Sequence, residues 1–139
     1  MNIRRVCEKD RIAVASIWDY CFEKRTDPFF RWYFSDVCRL QQVLLVETAG
    51  GMAGCLHRRP YTLSVRGKTI SADYLVGVAV HPAARGRGVA GKLLAGAFHA
   101  AREENKPAVI LMPSQESLYD RHVSGFCDDQ QQQTEKQEK

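Results

Sequence analysis

Between an apolar run ending at Val80 and an amphipathic pattern beginning at Val89 stands Arg85-Gly86-Arg87-Gly88-Val89-Ala90-Gly91, followed by Lys92. Closely spaced glycines let the backbone come near a ligand, and the first turn of a helix offers unpaired N–H groups and the positive end of a dipole. The chemistry that such a stretch suits is the holding of a phosphate. Three phosphate-binding arrangements can be laid over it. Gly86-x-Gly88-x-x-Gly91 spells a dinucleotide fingerprint, and Gly86-x-x-x-x-Gly91-Lys92 nearly spells a P-loop. Arg85-x-x-Gly88-x-Ala90 fits a third turn, in which main-chain groups hold a pyrophosphate without metal.

The first arrangement needs its glycines directly behind a strand that opens a parallel sheet, with an acid near the end of the next strand. Glu116 would serve as the acid, but His81-Pro82-Ala83-Ala84-Arg85 separates the strand from Gly86, and too few residues remain for a doubly wound sheet. A P-loop needs Ser or Thr after its lysine to bind magnesium, and an aspartate closing a nearby apolar strand. Leu93 follows Lys92, and the next apolar strand ends in Met112-Pro113. The third arrangement asks less of side chains. Successive N–H groups form the cradle, small residues at 86, 88, 90 and 91 allow close approach, and Arg85 and Arg87 add positive charge.

The elements that must position this turn are readable from periodicity. Ile3 to Cys7 is a short strand, and Asp10 is the expected N-cap of an amphipathic helix over residues 10–25, with Ile12, Ala15, Ile17, Trp18, Cys21 and Phe22 near helical spacing. Thr26-Asp27-Pro28 stops it. Phe29, Phe30, Trp32, Tyr33 and Phe34 form an aromatic cluster that suits core packing or the wall of a substrate pocket, and both readings stay open. Strands then follow over Val43 to Glu47, Met52 to Arg58 with continuation towards Val65, and Thr69 to Val80. Ala49-Gly50-Gly51 and Arg66-Gly67-Lys68 are the turns between them, which makes an antiparallel meander. Behind the glycine-rich turn, Val89, Leu93, Leu94, Ala97, Phe98 and Ala101 mark a helix ending near Asn105, and Ala108 to Met112 is a strand. Strand, helix, strand predicts a crossover with parallel strands. A short helix over Gln115 to Arg121 is expected next.

Composition bounds the rest. A chain of 139 residues suits one domain, and 45% hydrophobic with 26% charged residues permits a core without disulfides or a structural metal. The net charge of +4 permits anionic ligands without demanding one. Cysteines 7, 21, 38, 55 and 127 have no C-x-x-C spacing, and histidines 57, 81, 99 and 122 are scattered. No metal site is expected, the histidines read as surface or turn residues, and the cysteines suit a reducing compartment. The charged N-terminus does not read as a secretory signal, and no apolar run approaches the roughly 20 residues of a membrane helix. A cytoplasmic protein without membrane contact is the expectation. Arg58, Arg59, Arg66, Lys68, Arg85 and Arg87 are interleaved with acids and lack a nucleic-acid motif, so nucleic acid is not an expected partner.

The segment Asp73-Tyr-Leu-Val-Gly-Val-Ala-Val-His-Pro, followed by Arg-Gly-Arg-Gly-Val-Ala-Gly-Lys-Leu-Leu, resembles the signature of the GNAT N-acetyltransferase superfamily. The match extends from the meander through Ala-Val-Ile-Leu-Met-Pro-Ser, Leu118-Tyr119 and Gly125-Phe126. Within that superfamily the region from Trp18 to Phe22, the Arg66-Gly67-Lys68 hairpin and Met-Pro-Ser-Gln most resemble the N-terminal part of Eis-like (enhanced intracellular survival) proteins.

The resemblance implies an α/β (α+β) fold, a mixed sheet with an antiparallel N-terminal meander followed by a β-α-β crossover. It implies a GNAT-type domain over residues 1–127, with the polar segment 128–139 disordered and the family's last strand or strands missing. An edge left open in this way would invite pairing with a second copy. The implied activity is transfer of an acetyl group from acetyl-CoA to a primary amine, on a small molecule or a peptide, by direct attack. By position, Val78, Ala79 and Val80 are implied to hold the pantetheine arm, and Gly86, Arg87, Gly88, Val89, Ala90 and Gly91 the pyrophosphate, with Arg85 beside them. Ser114 and Gln115 are implied cofactor contacts, and Tyr119 the general acid near the sulfur. The spacer Asp-Arg-His-Val-Ser between Tyr119 and Gly125 is longer than the family's. The resemblance transfers no base; Glu47, Asp73, His81 and water are the candidates. A catalytically weak acyl-CoA-binding module is the alternative reading.

Overall fold

The computed structural model describes residues 1–111. Its five strands lie in the order β1-β2-β3-β4-β5, with bounds β1 Asn2–Arg5, β2 Val43–Thr48, β3 Gly51–Val65, β4 Lys68–Val80 and β5 Ala108–Leu111. The helices are α1 Arg11–Cys21, α2 Pro28–Trp32 and α3 Val89–Glu103. This is the mixed α/β sheet that the alternation of patterns predicts. The described residues fall into two compact units, one of Met1–His57 with Gly77–Leu93, the other of Arg58–Val76 with the described residues from Leu94 onward. Strands β3 and β4 and helix α3 contribute residues to both.

In the first unit, β1 pairs antiparallel with β2 (Asn2↔Glu47 to Arg5↔Leu44), and β2 with β3 (Val43↔His57 to Thr48↔Gly51). Val43, Leu44, Leu45 and Val46 are all buried. Four successive buried residues mean that this part of β2 is covered on both faces, which explains an apolar run without alternation. Val14, Ile17, Val6, Val43, Leu45, Cys55 and Ala79 form one core cluster, against which Cys21 and Cys38 also pack. Burial pushes the Cys55 thiol up to about 12, so at neutral pH it is an apolar filler.

Three local expectations are corrected by the structure. Asp10 precedes α1, but its carboxylate makes no bond to that helix. It accepts instead from the Arg4 guanidinium at 2.8 and 3.0 Å, a charge-assisted pair, and from the Cys7 N–H, before the helix, at 2.9 Å. Helix α1 also stops at Cys21 rather than 25, since Phe22 leaves helical geometry (φ −130°, ψ −116°). Asp27-Pro28 does not end α1; it begins α2, with the Asp27 carboxylate accepting from Phe29 N–H at 2.8 Å and Pro28 at the first position. Beyond α2 the chain widens into a π-turn over Tyr33–Val37, where Cys38 N–H donates to Tyr33 C=O at 2.7 Å.

In the second unit, β3 and β4 meet at Arg66 and Gly67, with φ of 50° and 75°. Two successive positive φ values are the mark of a two-residue turn whose twist suits an antiparallel pair. Pro60 lies past His57, where the register with β2 ends, so its missing N–H costs that ladder nothing. β4 pairs parallel with β5 from Ala72↔Ala108 to Leu75↔Leu111. Helix α3 closes with Asn105 at φ 58°, Lys106 N–H donating to Ala101 C=O and Asn105 N–H to Arg102 C=O, a Schellman arrangement. Leu94, Ala97, Phe98 and Ala101 bury its apolar face. Among the described residues no helix is long and apolar enough to cross a membrane.

Candidate functional site

The end of β4 is held in the first unit by His81 N–H, which donates to Ala53 C=O at 2.7 Å. Gly54 permits this approach. A Cβ there would lie 2.6 Å from the Ala79 carbonyl and 3.0 Å from Val89 Cγ1. Only a hydrogen fits at that distance. Ala79 is thereby buried, while Val78 and Val80 are half-buried on the last residues of β4.

Past β4 the chain makes a single 3-10 turn over Pro82–Ala84, capped by the His81 ring, whose Nδ1 accepts from Ala83 N–H at 3.2 Å. Arg85 follows in extended geometry, its Nε donating to Val80 C=O at 3.2 Å. Then φ alternates: Gly86 is at 78°, Arg87 has no positive φ, and Gly88 is at 80°. Alternating signs turn successive N–H groups towards one side, which is how a backbone makes an anion-binding concavity. Among the described residues no atom lies within 4 Å of the place a Cβ would occupy at either glycine, so these positions are glycine for their dihedrals and no described side chain fills the space before the turn. Lys92 N–H donates to Gly88 C=O at 3.1 Å, so the N–H groups immediately before it precede the helical ladder. Lys92 Nζ donates to Met1 C=O at 2.8 Å, and Arg85 and Arg87 are exposed at the turn.

A second constellation lies in the same unit. Tyr33 and His57, 4% and 1% exposed, share a hydrogen bond of 2.7 Å between the phenol oxygen and Nδ1. Trp18 stacks on Tyr33 with centroids 4.7 Å apart and meets His57 edge-on at 5.1 Å. Its indole N–H donates to Glu23 at 2.7 Å. Gly77, at φ 61°, faces this cluster: a Cβ there would overlap Trp18 and lie 2.9 Å from His57 Cδ2. The aromatic segment therefore divides. Phe30 and Tyr33 are core, whereas Phe29 and Trp32 are 44% and 52% exposed.

The structure thus brings Val78, Ala79, Val80 and Arg85 to Gly91 into one stretch of strand, turn and helix start. Ser114, Gln115 and Tyr119 lie outside the described residues. The three side chains considered as a base are each engaged. Glu47 receives Arg4 Nε at 3.1 Å, which holds its carboxyl below the usual range. Asp73, 1% exposed in the second unit, takes Arg58 Nε at 2.8 Å and Lys106 Nζ at 2.6 Å. His81 caps the 3-10 turn. Arg58, considered above with the basic residues, is 4% exposed and also bonds Glu104, whose carboxyl it draws below the usual range, so it presents no charge to a phosphate. His57 corrects the reading of the histidines as surface or turn residues: it is 1% exposed, with Trp18, Tyr33 and Phe34, all distant in the chain, against its imidazole. Among the described residues no three His, Cys, Asp or Glu side chains gather as a metal would need.

A family model described as an acetyltransferase (GNAT) domain matches residues 2–122. No curated protein matches. Among solved structures, a GCN5-related N-acetyltransferase from Kribbella flavida superposes with a TM-score of 0.79 at 21% identity, over 88% of this chain and 32% of that one. Eis1 from Mycobacterium abscessus gives 0.73 at 15% identity, over 87% and 31%. A Mycobacterium tuberculosis protein crystallised in complex with CoA gives 0.68 at 18% identity, over 88% and 70%. At these identities the likeness is one of fold. The chain spans about a third of the length of the first solved structures it matches.

Proposed function

This chain belongs to the GNAT acetyltransferase family, and from that premise we propose that it moves an acetyl group from acetyl-CoA to a primary amine, on a small molecule or a peptide, by direct attack. The observation that supports the reading is the alternation of φ at Gly86 and Gly88, before a space that no described side chain fills, at the start of α3. It suits a pyrophosphate held by backbone without metal. Bound acetyl-CoA supplies an activated thioester acyl group.

In this reading the backbone of Val78, Ala79 and Val80 binds the pantetheine arm, and the N–H groups of Gly86 to Gly91 bind the pyrophosphate. Arg85 and Arg87 place positive charge beside it, and Ser114 and Gln115 add contacts. Tyr119 holds on its phenol oxygen the proton needed by the departing thiolate. The domain occupies residues 1–127 with 128–139 as a polar tail, works in the cytoplasm, and within its family is Eis-like.

Calorimetric titration with acetyl-CoA, followed by an amine panel read by thiol release and mass spectrometry, tests the proposal. Saturable heat and amine-dependent thiol release support it, and Tyr119→Phe should then lower kcat by about 100-fold with CoA affinity unchanged. Binding without amine-dependent turnover would instead describe an acyl-CoA-binding module. The absence of heat at millimolar cofactor sinks both.

A further inference from the structure

The end of α1 turns one carboxylate back towards the core. Phe22 leaves helical geometry, and Glu23 then meets Trp18, five positions earlier, whose indole N–H donates to Glu23 Oε2 at 2.7 Å. That bond fixes one carboxylate oxygen and leaves Oε1 for a further donor. The cations that follow in sequence do not take it. Lys24 Nζ donates to Asp19 C=O at 3.1 Å, and the Arg25 guanidinium donates to Ser16 Oγ at 2.6 Å and faces the Asp19 carboxylate at 3.6 Å. Among the described residues no cation pairs with Glu23. The carboxylate is within reach of solvent: Glu23 is half-buried, and Phe22 and Phe29 are 42% and 44% exposed. Phe22 meets Trp18 edge-on at 5.0 Å, and Phe29 stacks at 6.2 Å on Tyr33, which itself stacks on Trp18. A carboxylate held among exposed aromatic rings suits an alkylammonium, which donates a charge-assisted hydrogen bond to the oxygen and meets a ring face by cation–π attraction.

The place of this carboxylate matters for the acceptor. The benzene edge of the same indole rests against Gly77, where Cζ3 and Cε3 are atoms that a Cβ would meet. With a pyrophosphate at Gly86 to Gly91 and the pantetheine arm running back along Val80 to Val78, the acyl end arrives towards Gly77. Glu23 then stands across the indole from the acyl group, where a second charge at the far end of a short alkyl chain would lie. We propose that Glu23 anchors such a charge, so that the acceptor is a primary amine carrying a further ammonium group, an inference that rests on the reading of the chain as an N-acetyltransferase. One ammonium pairs with Glu23 Oε1, the linker lies over Phe22 and Phe29, and the other nitrogen, once neutral, faces the thioester.

The test uses the full chain, wild type and Glu23→Gln, with pentylamine and with the diamine of the same chain, which has an amino group at each end. The anchor requires wild type to favour the diamine by about 10-fold or more in kcat/KM, through KM. Glu23→Gln, which keeps an oxygen for the indole N–H, must lose most of that preference, with pentylamine kinetics within about 2-fold of wild type and CoA affinity unchanged. Calorimetry of the diamine against CoA-saturated protein reads the same anchor without turnover, and Kd should rise by about 10-fold in the variant. The wild-type preference must also shrink as ionic strength rises from about 0.05 to about 0.5 M, a readout that needs no variant. Thiol release without preference for the diamine, or equal losses with both amines in Glu23→Gln, overturns the anchor and leaves the enzyme reading intact. A wild type that releases no thiol with any amine overturns that reading and the anchor together.

Discussion

Gly77 and Gly88 have nearly the same backbone conformation family and opposite surroundings. Both have positive φ, but a Cβ at Gly77 runs into Trp18 and His57, whereas at Gly88 it meets no described residue within 4 Å. Gly77→Ala therefore combines backbone strain with overpacking and should cost about 3 kcal/mol in urea unfolding. Gly88→Ala adds strain alone, about 1 kcal/mol, and should act on ligand affinity more than on stability. Finding the two equally destabilising would contradict this difference in surroundings. The same contrast shows what can be read from a string of letters. The glycines of Arg85 to Gly91 stood out because they are clustered; Gly77 looked like one small residue in a strand, because its crowding comes from Trp18, 59 positions earlier.

At the scale of elements, ion pairs decide how strands are tied to helices. In the first unit Arg4 joins β1 to Asp10 at 2.8 Å and to Glu47 on β2 at 3.1 Å. Arg4 holds the Asp10 carboxyl well below the usual carboxylate range, with help from the Cys7 N–H. A carboxyl depressed in the folded state stabilises above its unfolded value, near 4, and that contribution disappears as pH falls through the folded value. Asp10→Asn should thus cost about 1 kcal/mol at pH 7, and the difference from wild type should shrink as pH drops from about 4 towards 2, read from unfolding midpoints. In the second unit Asp73 and Arg58 are nearly inaccessible, so removing one strands the other's charge. Asp73→Ala should cost about 3 kcal/mol in urea unfolding, with any surviving folded protein keeping its CoA affinity. Asp73 stood inside the motif that pointed to the family, yet its chemistry is structural. Its partners Arg58 and Lys106, and Glu104, which the same two cations also hold, are spread over β3, the end of α3 and the approach to β5, and no local spacing links them.

For the molecule as a whole, ligand binding must appear as stability. A chain that binds CoA when folded and not when unfolded gains about 2.7 kcal/mol at a ligand concentration of 100 Kd. Acetyl-CoA should therefore raise Tm in proportion to the logarithm of its concentration. Gly88→Val, which puts a branched side chain into the turn, should abolish that rise. A wild-type Tm indifferent to CoA would refute the binding itself. The family and the order of elements were determined by the sequence, because alternation, helical spacing and turn residues act between near neighbours and the Arg85 to Gly91 turn is contiguous. Tertiary structure alone decided that His57 is buried on Tyr33, that Phe29 and Trp32 face out while Phe30 faces in, and that Asp10 serves Arg4 instead of α1. Each of those outcomes depends on which distant side chain fills the neighbouring space, and burial turns that choice into energy.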